Sequence, residues 1–334
     1  MKVFIHYQPH NTADAFEGTR LRKTIKGACE AVRVFWVDSP QEDVSVAHFI
    51  SPDDLPLLRE QKAKGVRTVV SAFYSEDDPN ASFLLPGKNL RLRSKALAFL
   101  NEADLILVPD KRIREFAKYQ GVTRPIEVMP PAVRMNRFSK STAEARVFPR
   151  YFGIRPEVKT VVATGSYADT KSLNLLKKVA KACPSLEFYF FGARRRYDML
   201  SLSKRVASAN RSKNLHFKDI VQDDMYRSAL LYSLAYISND DVRPDPIAPI
   251  EAFASKTQVV VFNSALPNPL LVEGKTARFF DTPEEMAAYL TALNLGEAES
   301  TIDSAYAMTK EYNLMSFGRQ LKRYYEALAS GEYR

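Results

Sequence analysis

Two kinds of segment alternate along this sequence, and the alternation constrains the fold more than any other feature. Short runs rich in β-branched and aromatic residues read as buried strands: "KVFIHY" (2–7), "VRVFWV" (32–37), "DVSVAHFI" (43–50), "VRTVVSAF" (66–73), "DLILVP" (104–109) and "IEVMPP" (126–131). Between them lie segments with helical spacing. In "GTRLRKTIKGACEAV" (18–32), Leu21, Ile25, Cys29 and Val32 fall on one face. "DDLPLLREQKAKG" (53–65), the basic "KNLRLRSKALAFLNEA" (88–103) and "RIREFAKYQG" (112–121) read the same way. Strands joined by helices of this length predict an α/β fold, a parallel sheet with helices on both faces.

A polar stretch rich in Arg, Lys and Ser, residues 134–150, interrupts the pattern, which then restarts. Strands are expected at 160–165, 186–192, 215–219, 234–239 and 257–263. Helices are expected at 171–183, 196–209, 222–233, 250–255 and 283–293, with a long final helix at about 310–330. A chain of 334 residues is too long for one compact core and suits two domains. The expected division is 1–148, 149–310 and a C-terminal helix, 311–334, crossing back to the first domain.

Several chemistries are disfavoured. Cys29 and Cys183 are the only cysteines and lie far apart, so neither a disulfide framework nor a zinc site is expected. The four histidines (His6, His10, His48, His216) show no metal spacing. No apolar run approaches the ~18 residues of a membrane-spanning helix, and the first eleven residues are too short in apolar content for a signal peptide. A cytoplasmic location is expected. Neither G-x-G-x-x-G nor G-x-x-x-x-G-K-[ST] is present, which argues against nicotinamide dinucleotides and P-loop chemistry. G-x-S-x-G and H-E-x-x-H are also missing. The net charge of +9 leans towards the first half, where residues 1–150 hold 24 Lys+Arg against 18 Asp+Glu. Such an excess suits nucleic acid, an anionic membrane or phosphorylated small molecules, and composition alone does not choose. No recognisable nucleic-acid module is present.

The strand ends of the second half carry the candidate site. "VVATGSYADTKSLNLL" puts Gly165 and Ser166 at a strand end and Lys171 at the following helix start, where free N–H groups, the helix dipole and a lysine favour a diphosphate. A solvated first-turn lysine is the plainer alternative. "LEFYFFGARRRYDML" ends a strand at Gly192 and continues with Arg194, Arg195 and Arg196, an anion site or a solvated charge run. "RPDPIAPIEAFASKTQVVVF" places Glu251 at a helix start, where it either caps the helix or accepts hydrogen bonds from a ribose diol.

These residues, in this order, resemble a retaining glycosyltransferase of the GT-B fold, family GT4, over nearly the whole chain. "NEADLILVPDKRIREFAKYQGVTRPIEVMPPAVRMNRF" (101–138) looks like the end of that family's first domain. "VVSAFYSEDDPNASFLL" (69–85) and "RVFPRYFGI" (146–154) resemble the bacterial enzymes of the diglycosyl-diacylglycerol synthase type, which add a second sugar to a glycolipid. The resemblance implies two Rossmann-like domains facing a cleft, a UDP-linked hexose donor (UDP-glucose or UDP-galactose), no metal or other cofactor, and a glycolipid or cell-surface glycan acceptor. It implies donor contacts from Gly165, Ser166, Lys171, Gly192, Arg194 and Glu251. Phe73, Lys88, Arg91, Arg93 and Lys95 fall on the acceptor side, and the helix at 88–103 is a candidate contact for an anionic membrane on the inner face of the cell membrane.

The chain departs from the family at three places. Ser166 stands where the family has an arginine, Phe73 where it has a histidine near the reacting sugar, and Arg243 eight residues before Glu251 where it has a first glutamate. Asp240, Asp241 or Asp245 in the proline-rich loop is the candidate replacement, with Asp241 and Asp245 taken as catalytic. Losing an arginine at a diphosphate removes a contact worth about 1.5–3 kcal/mol. Two function classes therefore stay open: an active hexosyltransferase, and a non-catalytic GT-B protein acting as partner subunit or chaperone of another glycosyltransferase. Oligomeric state is not legible.

Overall fold

A computed structural model describes residues 1–7, 15–72, 92–138, 143–166, 170–193, 213–219, 221–238, 247–263 and 268–333. The chain forms two compact units, Met1–Arg134 with Glu311–Arg334, and Met135–Lys310.

The first unit runs β1 (Lys2–His6), α1 (Ala15–Ala31), β2 (Phe35–Val37), β3 (Val46–Phe49), α2 (Leu55–Ala63), β4 (Arg67–Ser71), α3 (Ser94–Glu102), β5 (Leu105–Val108), α4 (Lys111–Tyr119) and β6 (Ile126–Val128). All strand pairs are parallel, in the order β2-β1-β3-β4-β5-β6. Every residue of β3 and β5 is buried, as a sheet covered on both faces requires. Phe49, Leu58, Phe99, Leu100 and Ile113 build the core under α2, α3 and α4. Ile5, Leu21, Ile25, Leu105, Leu321 and Tyr325 build the other, under α1 and the chain's final helix, Leu314–Ser330.

The second unit opens with residues expected to be a polar link. Those described form single 3₁₀ turns at Met135–Arg137 and Glu144–Arg146, then α5 (Val147–Tyr151). Aromatic and polar side chains anchor this stretch to the second unit. Phe148 is fully buried, edge-on to Tyr189 at 4.9 Å, and its N–H donates to Ser228 Oγ at 2.9 Å. Arg137 donates to Asp223 (2.8 Å) and Asp224 (2.9 Å).

β7 (Lys159–Ser166), α6 (Thr170–Ala182), β8 (Leu186–Ala193), β9 (Leu215–Asp219), α7 (Asp223–Tyr232), β10 (Ala235–Ser238), α8 (Ala248–Ala254), β11 (Gln258–Phe262), β12 (Arg278–Phe280), α9 (Pro283–Leu295) and α10 (Ile302–Met308) follow. The final helix is α11. The second sheet is also parallel, in the order β12-β11-β10-β7-β8-β9. β12 and α10 were not expected from the pattern, and the helix expected at 196–209 lies outside the described residues.

A buried polar chain ties α11 to the first sheet. His48 Nδ1 lies 2.6 Å from the Tyr325 hydroxyl and Nε2 lies 2.8 Å from Ser71 Oγ. His48 is completely buried, and that burial pushes its pKa down to about 3, so the imidazole is neutral. Gly318 brings α11 against α1. A methyl group there would lie 2.6 Å from the backbone oxygen of Ala28.

Candidate functional site

In the second sheet the chain moves from β7 outward to β8 and β9, then returns to β10 on β7's other side. The strand order reverses between β7 and β10. Connections leave such a point in opposite directions and open a crevice at the carboxyl ends of the two strands, where ligands of parallel α/β sheets bind.

The residues at that end of the sheet have specific geometry. Gly165 has φ +152°, a backbone conformation that L side chains rarely adopt. Space is not the constraint, because an added Cβ would meet the Phe190 ring at an ordinary 3.6 Å. Gly165 pairs in register with Gly192, so two strand ends lie side by side without side chains. Ser166 is the last residue of β7. Thr164 Oγ1 and the Tyr236 hydroxyl, 2.7 Å apart, link β7 to β10 just beneath the reversal point. Lys171 is the second residue of the thirteen-residue α6 and is exposed. The first turn of that helix offers backbone N–H groups and the positive end of its dipole.

Glu251 lies on α8, which follows β10. Its N–H donates to the Ile247 oxygen, and its own carbonyl accepts from the Ser255 N–H and hydroxyl. All seven residues of α8 are buried, and Glu251 is only 8% exposed. Burying a carboxylate costs solvation energy, offset in part here by the positive end of the helix dipole.

The topology thus brings Gly165, Ser166, Gly192, Lys171 and Glu251 to one end of one sheet. Asp240, Asp241, Arg243, Asp245, Arg194, Arg195, Arg196, Phe73, Lys88 and Arg91 lie outside the described residues. The expected basic helix at 88–103 needs correction. α3 begins at Ser94, and Arg93 precedes it in extended conformation (ψ 144°) without a side-chain cap bond. Lys95 is the one expected basic contact on the described helix, where it is exposed. Among the described residues no three His, Cys, Asp or Glu side chains could hold a metal ion, and no helix is long and apolar enough to cross a membrane.

Sequence reasoning left the polar pair His6 and Asp54 of the first unit unassigned. Their side chains approach to 3.2 Å. The sole sequence signal was a histidine at a strand's carboxyl end.

No family model and no curated protein matches the chain. Solved structures do. HepE from Anabaena in complex with UDP-glucose aligns with a TM-score of 0.71 over 98% of this chain and 99% of that one, at 11% identity. A glycosyltransferase from Rickettsia africae aligns with a TM-score of 0.65 over 99% and 98%, at 10% identity. Sucrose-phosphate synthase from Thermosynechococcus elongatus gives 0.65 over 97% and 81%, at 12% identity. Identities this low speak to architecture, not activity. With two six-stranded parallel sheets flanked by helices, the chain has the GT-B fold that its sequence resemblance implied.

Proposed function

We propose that the protein is a retaining glycosyltransferase of the GT4 type that moves a hexose from UDP-glucose or UDP-galactose to a glycolipid or cell-surface glycan acceptor. The observation that carries this reading is the second unit's strand-order reversal. It supports the reading because Gly165 stands near the carboxyl end of β7, while a helix N-terminus with Lys171 follows β7 and the buried Glu251 follows β10. That set matches the chemistry of a nucleotide diphosphate: N–H groups and an ammonium for the diphosphate, and a carboxylate for the ribose diol. Likeness in fold to HepE, whose structure holds UDP-glucose, supports it.

In this reading the α6 N-terminus and Lys171 stabilise charge as it develops on the leaving UDP, and Gly165 admits the diphosphate close to the backbone. Glu251 fixes the ribose. Asp241 and Asp245 are candidates for orienting the donor sugar. The acceptor is a glycolipid of the kind used by diglycosyl-diacylglycerol synthases, met by a bacterial enzyme held peripherally on an anionic membrane through Lys95 and the basic residues near it.

Calorimetric titration with UDP tests the donor half. Wild type should bind with micromolar affinity, and Glu251→Gln should weaken binding about tenfold, the loss of one charge-assisted contact. Wild type that takes up no UDP, UDP-glucose or UDP-galactose would refute the assignment.

A further inference from the structure

α5 of the second unit has two opposed faces. One is anchored inward: Phe148 and Pro149 are buried. The Phe148 ring stands edge-on to Tyr189 at 4.9 Å, to Phe152 at 5.3 Å and to Phe191 at 6.2 Å. The helix closes through the Phe152 N–H to the Phe148 oxygen (3.1 Å) and the Ile154 N–H to the Pro149 oxygen (2.8 Å). That anchoring fixes the other face towards solvent. Val147 is 44% exposed and Tyr151 is 73% exposed. They lie four residues apart, so the two apolar side chains share one face of the helix. The Tyr151 ring is held edge-on to Phe152 at 4.9 Å. Single exposed apolar side chains are ordinary on a protein surface, but apolar neighbours rimmed by charge mark a contact site.

The rim here is basic. Arg146 and Arg150 repeat with the same four-residue spacing beside Val147 and Tyr151, and both are exposed. The acids nearest in the fold are engaged by other arginines. Glu144 and Asp224 lie 3.5 and 3.3 Å from the Arg227 guanidinium, and Arg137 donates to Asp223 and Asp224. Among the described residues no carboxylate pairs with Arg146 or Arg150. A free polyanion would use the arginines alone and leave the apolar pair in water. The surface of an anionic bilayer uses both. Its headgroups attract the guanidinium groups, a tyrosine ring sits well at headgroup level, and a valine gains by leaving water.

We propose that this face of α5, Val147 and Tyr151 flanked by Arg146 and Arg150, docks on an anionic lipid bilayer. It is a second contact, distinct from Lys95, which belongs to the first unit. The proposal rests on the reading of the chain as an enzyme of an anionic membrane.

The test is co-sedimentation of the full chain with vesicles of phosphatidylcholine, alone or mixed in equal parts with phosphatidylglycerol. Wild type should bind the mixed vesicles, ignore the neutral ones, and weaken as salt is added. Val147→Ser with Tyr151→Ser should weaken binding about tenfold, and Arg146→Gln with Arg150→Gln about as much. Both double variants keep Phe148, so thermal unfolding and UDP affinity should match wild type. A Tyr151→Trp probe in a Trp36→Phe background reports the contact in an otherwise intact surface: its emission should shift to the blue on mixed vesicles and stay put on neutral ones. Full binding by the serine variant, or a probe that does not shift, overturns the proposal and leaves the membrane to the first unit. So does a wild-type dimer that the serine variant dissolves, which would assign the face to a second copy. Wild type that ignores both kinds of vesicle overturns the membrane partner altogether, and failure to bind UDP in the same preparations would instead overturn the donor assignment.

Discussion

Lowering the pH from about 7.5 to about 5 should weaken the first unit by about 2 kcal/mol through His48 alone. Folding holds this imidazole neutral, with a pKa near 3 against an ordinary 6.5. The unfolded chain therefore binds the extra proton first. The contribution is complete above about pH 6.5 and is lost progressively as pH falls towards 3, at about 1.4 kcal/mol per pH unit. Among the described residues no carboxylate meets the ring. Its two hydrogen-bonding partners are the hydroxyls of Tyr325 and Ser71, so a buried imidazolium would stand without a counter-charge. Two kcal/mol is a sizeable part of the 5–15 kcal/mol typical of a domain. Trp36, the chain's single tryptophan, lies on β2 with Lys26 Nζ 3.9 Å above its ring, so its fluorescence reports unfolding of this unit. Urea titrations of wild type and His48→Gln at both pH values isolate the effect, because every other titrating group is shared. Wild type should lose about 2 kcal/mol more than the variant on acidification. Equal losses, within about 0.5 kcal/mol, would show that His48 is not neutral by burial.

Three further outcomes follow from single positions. Gly318→Ala forces a methyl group to 2.6 Å from the Ala28 carbonyl oxygen and should destabilise the first unit by about 1–3 kcal/mol, read by Trp36 fluorescence. Gly165→Ala strains the φ +152° backbone; thermal unfolding should show a loss of about 1–3 kcal/mol, and calorimetry a weaker UDP affinity. Lys171→Ala, at an exposed helix start, should leave stability within about 0.5 kcal/mol of wild type while lowering UDP affinity about tenfold.

The parallel sheets were legible because fully buried strands announce themselves as continuous β-branched runs, such as Gln258–Phe262 and Leu105–Val108. Three-residue β12 is too short to show a period, and α10 carries only one fully buried side chain, Ala305. Residues 134–150 read as a linker because their charges dominate the composition. The aromatic "VFPRYF" (147–152) at their end was the contrary signal, since Phe148 is wholly buried. Gly165, Lys171 and Glu251 could be nominated as donor contacts because strand-end glycines and helix-start charges are local features. The pairs His48–Tyr325 and His6–Asp54 were not legible, because 277 residues separate the first, and a histidine at a strand end does not by itself name Asp54 as the partner in the second.

The account's central claim is hexosyl transfer from a nucleotide sugar. Its most direct test is release of UDP from UDP-glucose and UDP-galactose by the purified protein, with and without monoglucosyl-diacylglycerol in anionic vesicles. The account predicts UDP release from at least one donor, stimulated by the glycolipid, with the new glycosidic bond in the same anomeric configuration as the donor. UDP binding without any turnover would point to the partner-subunit alternative, and neither binding nor turnover with either donor would contradict the account outright.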